Sequence, residues 1–164
     1  TGSNGKTSTK EMLAGLCRGL GARTNATHGN FNNLIGVPLT LLEASGQSDW
    51  WVIEMGTNQF GEIEELSRIV RPDGAILTGI AESHLEFLRN TEGVAREKAG
   101  IIRGMPPGAP LVIPSRMKHE DLVRRLAEKS EVRMVRFGID GLLEDLGRLT
   151  LGDDLSVIHQ KETG

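Results

Sequence analysis

The sequence has little cysteine, no long apolar run and little net charge. Its one cysteine, Cys17, excludes an internal disulfide framework and is typical of proteins from a reducing compartment. No apolar run approaches the roughly 20 residues that span a bilayer, so we expect no membrane insertion. The net charge of -3 offers no general attraction for nucleic acid, so any polyanion must be bound at a local site.

The chain begins in a polar, glycine-rich stretch, from which we expect no signal peptide and, with the lone cysteine, a cytoplasmic protein. Its 164 residues suit one domain with a sizeable core. Hydrophobic residues make up 38% and charged residues 25% of the sequence, which is typical of a folded chain. We therefore treat residues 1–164 as a single domain.

Short apolar runs alternate with amphipathic segments along the chain, which predicts the α/β class. Such alternation favours a mostly parallel sheet covered by helices on both faces. Thr91 is the predicted N-cap of one helix, which would place Lys98 about two turns in, at a partly exposed position. The predicted strands cover 50–55, 75–80, 111–113 and 132–137, and the predicted helices follow Gly5 and cover 61–70, 91–102 and 119–129.

The two ends of the chain differ from this alternation. Residues 142–159 are apolar but broken by Gly152-Asp153-Asp154, which predicts an antiparallel hairpin at one edge of the sheet. At the other end, a glycine-rich loop that opens a helix normally follows a strand, and no strand precedes it here. We interpret the chain as a segment of a longer protein whose preceding strand would be central to the sheet.

The strongest single motif is the loop at residues 1–9, TGSNGKTST. Glycines let several backbone N–H groups converge on phosphate oxygens, and the following helix directs its positive end to the same place. Lys6 would face the outer phosphates, and the Thr7 hydroxyl would ligate Mg²⁺. The alternative is a glycine-rich turn with an ordinary helix lysine, but Gly-Lys-Thr ahead of an amphipathic helix favours nucleotide binding. The predicted ATP-binding residues are Gly2, Ser3, Asn4, Gly5, Lys6, Thr7 and Ser8.

A second polar loop, THGNFNN at residues 27–33, precedes an apolar helix start. Asn30, Asn32 and Asn33 can donate and accept hydrogen bonds toward a polar ligand. For any one asparagine an Asx turn or a helix cap is the commoner fate, so the residues alone leave both interpretations open.

Together, TGSNGKTSTKEML and THGNFNNLIGVPLTLL resemble the central domain of the Mur ligases. The resemblance continues through VIEMG, FGEI, AILT, SHLE and VAREK, and so covers about the first two-thirds of the chain. Within the family, the chain most resembles the members that join D-alanyl-D-alanine to the UDP-N-acetylmuramoyl tripeptide, and GNFNNLIGVPLTLL is the part most specific to them. Under this resemblance Asn30, Asn32 and Asn33 would bind the substrate.

Glu54 lies near the carboxyl end of a predicted buried strand, which is where ligands bind in open α/β sheets. Its carboxylate could reach a Mg²⁺ ion held by Thr7 and the nucleotide. A strand-end acid that meets solvent or a lysine is the alternative, and it is less favoured because an unpaired carboxylate in an apolar strand is costly.

The resemblance implies two more metal ligands. Family members use a histidine at the place of His84 to bind a second Mg²⁺, and a carbamylated lysine at the place of Lys98. Carbamylation requires the neutral amine and turns a cation into a carboxylate-like ligand. From the sequence alone, Lys98 would be a solvated helix lysine. The implied catalytic residues are Lys6, Glu54, His84 and Lys98, and the implied metal ligands are Thr7, Glu54, His84 and carbamylated Lys98.

The resemblance implies an ATP-dependent ligase that activates the peptide carboxylate as an acyl phosphate, with ATP and Mg²⁺ as cofactors and small molecules as partners. We expect a monomer, with the UDP-sugar and amine substrates bound by further N- and C-terminal domains and the isolated segment inactive. The alternatives are a folylpolyglutamate synthase-like ligase, against which GNFNNLIG argues, and a P-loop NTPase or kinase that forms no amide. The latter leaves the asparagines, His84 and Lys98 unexplained.

Overall fold

The structure, a computed structural model, describes residues 1–43, 47–83 and 85–138. In these ranges no helix is long and apolar enough to cross a membrane. The helices are α1 (Lys6–Gly19), α2 (Gly36–Glu43), α3 (Glu62–Val70), α4 (Leu85–Leu88), α5 (Thr91–Ala99) and α6 (Glu120–Lys129), with a 3₁₀ turn at Gly100–Gly104. The strands are β1 (Thr24–Ala26), β2 (Trp50–Val52), β3 (Ala75–Ile76), β4 (Pro110–Pro114) and β5 (Arg133–Phe137).

The strands form two parallel sheets, which confirms the predicted α/β class with parallel strands and flanking helices. β1 pairs with β2, while β4 lies between β3 and β5. Each pairing within the described ranges is parallel. The antiparallel hairpin predicted at 142–159 lies outside these ranges, and the parallel strands lend it no support.

A cavity of about 740 Å³ separates the facing edges of β2 and β3. Thr1 lies along the β3 edge, because its amine donates to the Ile76 carbonyl at 2.9 Å and its carbonyl accepts from Thr78 N at 2.9 Å. The central strand expected from the sequence stays a prediction.

The apolar core is densest around β4. Leu111 and Ile113 are fully buried there, and Val123 of α6 is fully buried beside them in the same cluster. The five-residue pairing of β4 with β5 holds this side of the molecule together. Alternating burial along β4 follows the two-residue period of a strand, and the proline at each end limits its length.

Three sequence predictions of local structure are wrong in detail. The strand predicted at 50–55 ends at Val52, because in the described ranges it pairs only with the three-residue β1. Its two tryptophans are 57% and 39% exposed, so this strand is less buried than predicted. The strand predicted at 75–80 is assigned only over Ala75–Ile76, since Gly79 turns the backbone at φ 149°. The N-cap of α5 is Asn90, whose side chain accepts from Gly93 N at 2.8 Å, whereas the Thr91 hydroxyl contacts His119.

Candidate active site

The predicted phosphate loop is a tight turn that leads directly into α1. Gly2 has φ 145°, and a Cβ there would lie 2.0 Å from Thr78 Oγ1, so only glycine fits. Gly5 is the N-cap of α1 at φ 79°, and no side chain of the described residues caps this end. The first-turn N–H groups of α1 are therefore left for an anion.

Contacts to the segment after β3 hold the loop in place. Ser3 N donates to the Gly79 carbonyl at 2.9 Å, and Ser3 Oγ accepts from Ala81 N at 3.0 Å. Thr78 Oγ1 donates to the Asn4 carbonyl at 2.5 Å. The loop thus depends on residues that lie more than 70 positions away in the sequence.

Lys6 folds back over the loop, where its Nζ donates to the carbonyls of Gly2 at 3.0 Å and Ser3 at 3.4 Å. Thr7 and Ser8 are exposed on the first turn of α1. The structure therefore places an ammonium group, open helix amides and two hydroxyls at one end of α1, the arrangement that phosphate binding requires.

Glu54 is 3% exposed, and polar residues from another loop surround it. Its Oε1 accepts from Asn32 Nδ2 at 2.8 Å, and its backbone N–H donates to Thr27 Oγ1 at 2.8 Å. Within the described ranges, the other carboxylate oxygen, Oε2, is buried without a hydrogen-bond partner. A buried carboxylate oxygen without a donor is costly, and a bound cation would offset that cost.

Lys98 is only 1% exposed, so the sequence interpretation of it as a solvated, partly exposed lysine is wrong. It lies in the last turn of α5, which packs against α3, α4 and α6. Burial and, to a smaller extent, the positive charge of Lys6 lower the pKa of Lys98 to about 8, although the carboxylate of Glu97 acts in the opposite direction. A lysine with this pKa holds a useful fraction of neutral amine near neutral pH, which is the form that reacts with carbon dioxide.

These groups meet around one cavity of about 160 Å³. Lys6, Asn32, Asn33 and Lys98 line it. Glu54 joins them through its hydrogen bond to Asn32, and with Lys6 it also lines the larger cavity between the sheets. Three further residues that sequence reasoning missed complete the wall: Gly56, Thr57 and Asn58.

Other predicted site residues lie outside this cavity, have a second role or fall outside the described residues. Asn30 is exposed and does not line the cavity, although its carbonyl accepts from Asn32 N at 2.7 Å. Asn33 lines the cavity but also caps α2, since its Oδ1 accepts from Ile35 N and Gly36 N. His84 lies outside the described residues, so its predicted role as a metal ligand stays a prediction.

Two buried groups that the sequence did not single out support this site. Lys10 is 4% exposed on α1, and its Nζ donates to the Thr27 carbonyl at 2.8 Å and to Glu11 at 2.5 Å. Thr27 in turn accepts from the backbone of Glu54. Neither link has a local sequence signal, whereas Gly56, Thr57 and Asn58 could have been found because they come just after the end of the strand predicted at 50–55.

The oxygen atoms of Glu54 and Thr7 are candidate ligands for Mg²⁺. Among the residues that the structure describes, no three His, Cys, Asp or Glu side chains form a complete metal cluster. The oxygen of Glu54 without a partner and the exposed hydroxyl of Thr7 are the hard oxygen donors that Mg²⁺ prefers. The residues present therefore fit a Mg²⁺ ion that takes only a few protein ligands and completes its shell with phosphate and water.

Comparisons with known proteins agree with this geometry. The sequence profile of the Mur ligase middle domain matches residues 1–160. The UDP-N-acetylmuramoyl-tripeptide--D-alanyl-D-alanine ligase of Bacillus subtilis (strain 168) is 46% identical over 112 residues, which are 68% of this chain and 24% of that protein. The chain therefore spans about a quarter of the length of this curated relative.

Solved structures show the same fold. MurF from Acinetobacter baumannii superposes with a TM-score of 0.78 at 36% identity, over 84% of this chain and 30% of that one. The MurF ligase from Thermotoga maritima in complex with ADP gives 0.72 at 31% identity, over 84% of this chain and 31% of that one. The apo form of L. casei FPGS gives 0.65 at 18% identity, over 84% of this chain and 44% of that one, a likeness of fold alone.

Proposed function

Because this chain belongs to the Mur ligase middle domain family, we propose that it is the central ATP-binding domain of a ligase of peptidoglycan precursor synthesis. The proposed reaction adds D-alanyl-D-alanine to a UDP-N-acetylmuramoyl tripeptide in the cytoplasm. The observation that carries the proposal is the single cavity shared by Lys6 of the phosphate loop, Asn32 beside Glu54, and the buried Lys98. The name of the B. subtilis relative, a UDP-N-acetylmuramoyl-tripeptide--D-alanyl-D-alanine ligase, supports the choice of substrates.

In the proposed reaction, the terminal carboxylate of the UDP-linked peptide attacks the γ-phosphate of ATP and releases ADP. The amine of D-alanyl-D-alanine then attacks the acyl phosphate, which forms the amide and releases phosphate. The ADP complex of the T. maritima relative supports a nucleotide at this loop. Lys6 and the open amides of α1 would bind the outer phosphates, where negative charge is concentrated.

Thr7, Glu54, His84 and carbamylated Lys98 would hold Mg²⁺ ions, which would screen the negative charge of the phosphates. Burial keeps Glu54 and Lys98 away from bulk water, and the hydrogen bond from Asn32 fixes the orientation of the Glu54 carboxylate. The lowered pKa of Lys98 favours the neutral amine that carbamylation needs. The substrate peptide would contact Asn32 and Asn33 at the other wall of the cavity.

We further propose that other domains bind the UDP-sugar and the amine substrate. The chain matches only 24% of the length of its B. subtilis relative, and its described residues bring together the phosphate loop and catalytic groups. The 164-residue chain by itself should then show little or no ligase turnover. D-alanyl-D-alanine ligation by the isolated chain at a rate near that of the full-length protein would contradict this division of labour.

The test measures phosphate release and amide formation by the full-length protein, with UDP-linked tripeptide plus D-alanyl-D-alanine against folate plus glutamate. We expect turnover with the first pair only. Lys6→Ala should lower kcat/KM by about 100-fold or more, roughly 2.7 kcal/mol, because it removes the charge that faces the outer phosphates. The matched control, Lys129→Ala at the exposed end of α6, should leave the rate unchanged.

The outcomes separate the alternatives. Turnover with folate and glutamate alone would favour an FPGS-like ligase. Phosphate release without amide formation from either pair would favour an NTPase or kinase. An unimpaired Lys6→Ala variant would remove the phosphate loop from the mechanism.

A further inference from the structure

Glu97 is a buried carboxylate that the proposed chemistry does not use. It is 4% exposed and precedes Lys98 on α5. Its Oε2 accepts from Gly61 N at 2.6 Å, and its Oε1 accepts from Ile63 N at 2.9 Å. The Thr57 hydroxyl lies 3.1 Å from Oε1, but its one proton has a shorter acceptor, the Gln59 carbonyl at 2.6 Å. A buried carboxylate is costly unless donors surround it, and two backbone amides supply them here.

These bonds make Glu97 the cap of a helix to which it does not belong. α3 begins after Gly61, which has φ 91° and no side chain with which to cap. Gly61 and Ile63 lie at the positive end of α3, where a carboxylate is favoured. The capping group therefore comes from α5, 34 to 36 residues further along the chain.

Residues 56–61, which we name the Thr57 loop, form the wall of the candidate site at this point. Gly56, Thr57 and Asn58 line the cavity that Lys6 and Lys98 share. Glu62 fastens the same loop from its other end, because its Oε2 accepts from Asn58 N at 2.6 Å and from Gln59 N at 3.1 Å.

The Thr57 loop is also hydrogen-bonded to the polar loop at residues 27–33. Gly56 N donates to the Asn32 carbonyl at 2.7 Å, and a Cβ at Gly56 would lie 2.9 Å from the Asn32 side chain. The Thr57 loop thus contacts Asn32 directly, and Glu97 connects the same loop by hydrogen bonds to the helix that carries Lys98.

We propose that Glu97 is a positioning residue that fixes the Thr57 loop relative to Lys98 and so shapes the pocket for the peptide substrate. This rests on the proposed function for the identity of that substrate. Nucleotide binding should not depend on Glu97, because contacts from Thr78, Gly79 and Ala81 hold the phosphate loop. The role requires a carboxylate, because an amide would turn its NH₂ group toward an N–H donor of Gly61 or Ile63.

The test compares Glu97→Gln with Glu92→Gln in the full-length protein. Glu92 lies on the same helix but is exposed, in an ion pair with Arg96 at 2.8 Å, so it controls for the loss of a charge from α5. Glu97→Gln should raise the KM for the UDP-linked tripeptide about tenfold, while the KM for ATP changes less than about twofold. Hydrogen–deuterium exchange should speed up in peptides that cover residues 57–63, and Glu92→Gln should change neither readout.

A purely structural role would lower kcat for all substrates in proportion to the folded fraction and leave each KM unchanged. That result, or unchanged exchange in the Thr57 loop, would overturn the proposal. If Glu97→Gln does not fold, Glu97→Asp carries the test, since it keeps the charge but draws the carboxylate back from the amides of Gly61 and Ile63. It should raise the tripeptide KM and loop exchange less than Glu97→Gln would, and no change in either would also overturn the proposal.

The exchange experiment does not depend on the substrate. A wild-type protein that fails to ligate D-alanyl-D-alanine contradicts the proposed function, whereas the exchange comparison still decides whether Glu97 holds the loop. An active wild type with unimpaired Glu97→Gln contradicts the positioning role alone.

Discussion

Leu111 and Lys98 are almost equally buried, at 0% and 1% exposure, and they represent two differently built regions of the molecule. We call β3, β4, β5 and α6 the apolar region, because its buried side chains are almost all hydrocarbon. We call residues 1–27 and 50–61, together with α5, the polar region. Its buried polar side chains are Lys10, Thr27, Glu54, Thr57, Glu97 and Lys98.

The difference shows how the molecule separates stability from chemistry. Each buried polar group of the polar region loses water, and only hydrogen bonds or a ligand offset that loss. β1 and β2 are three residues long and, within the described residues, pair with each other alone, whereas β4 and β5 pair over five residues. We infer that the apolar region supplies much of the stability that holds costly groups in place around the cavity.

The largest effect is expected from Leu111→Ala in the apolar region. Removing a fully buried leucine side chain should lower the free energy of unfolding by about 3 kcal/mol, through lost burial and the cavity left behind. Urea unfolding of the full-length protein measures this, with Leu42→Ala, 82% exposed on α2, as the control expected to cost less than about 0.5 kcal/mol. At temperatures where the variant stays folded, its kcat should remain near normal. A large loss of kcat without loss of stability would contradict the separation of stability and chemistry between the two regions.

Lys98→Ala should show the opposite pattern. If carbamylated Lys98 is a metal ligand, kcat should fall about 100-fold, roughly 2.7 kcal/mol, while the fold persists. Because Lys98 is buried, the alanine variant also leaves a cavity. Lys98→Met is therefore measured in parallel, since it keeps the length of the side chain and leaves no cavity. Added bicarbonate should not restore Lys98→Ala, whereas a short-chain carboxylic acid should do so in part. A loss below about tenfold at saturating magnesium would refute the ligand role.

A smaller effect concerns pH. Burial lowers the pKa of Lys98 from 10.5 to about 8, so above pH 8 the unfolded chain binds more protons than the folded one. Stability should therefore rise between pH 8 and 10.5, by at most about 1.4 kcal/mol per pH unit, and the contribution should be flat below pH 8, where both states are protonated. The difference in unfolding free energy between wild type and Lys98→Met, measured as a function of pH, isolates the contribution of Lys98. A difference that does not vary with pH would show that Lys98 is not desolvated in solution.

Sequence reasoning worked best where structure is local. The loop at residues 1–9 carries its own glycines and is followed at once by α1, so its turn and helix start could be predicted from neighbouring residues. The alternation of segments likewise predicted the parallel pairing of strands. It failed for β2 and β3, whose lengths depend on what lies beside them in the sheet and not on their own apolar residues.

What the sequence by itself determined is thus the phosphate loop, the alternation of helices and strands, the strand-end position that pointed to Glu54, and the family resemblance that pointed to His84 and Lys98. Only the tertiary structure decided that Lys98 is buried, that Asn32 orients a carboxylate 22 residues away, and that Glu97 caps a helix to which it does not belong. The reason is physical. Turns and helix starts follow from short-range backbone sterics and hydrogen bonds, whereas burial, pKa and long-range capping depend on which distant elements pack against a side chain.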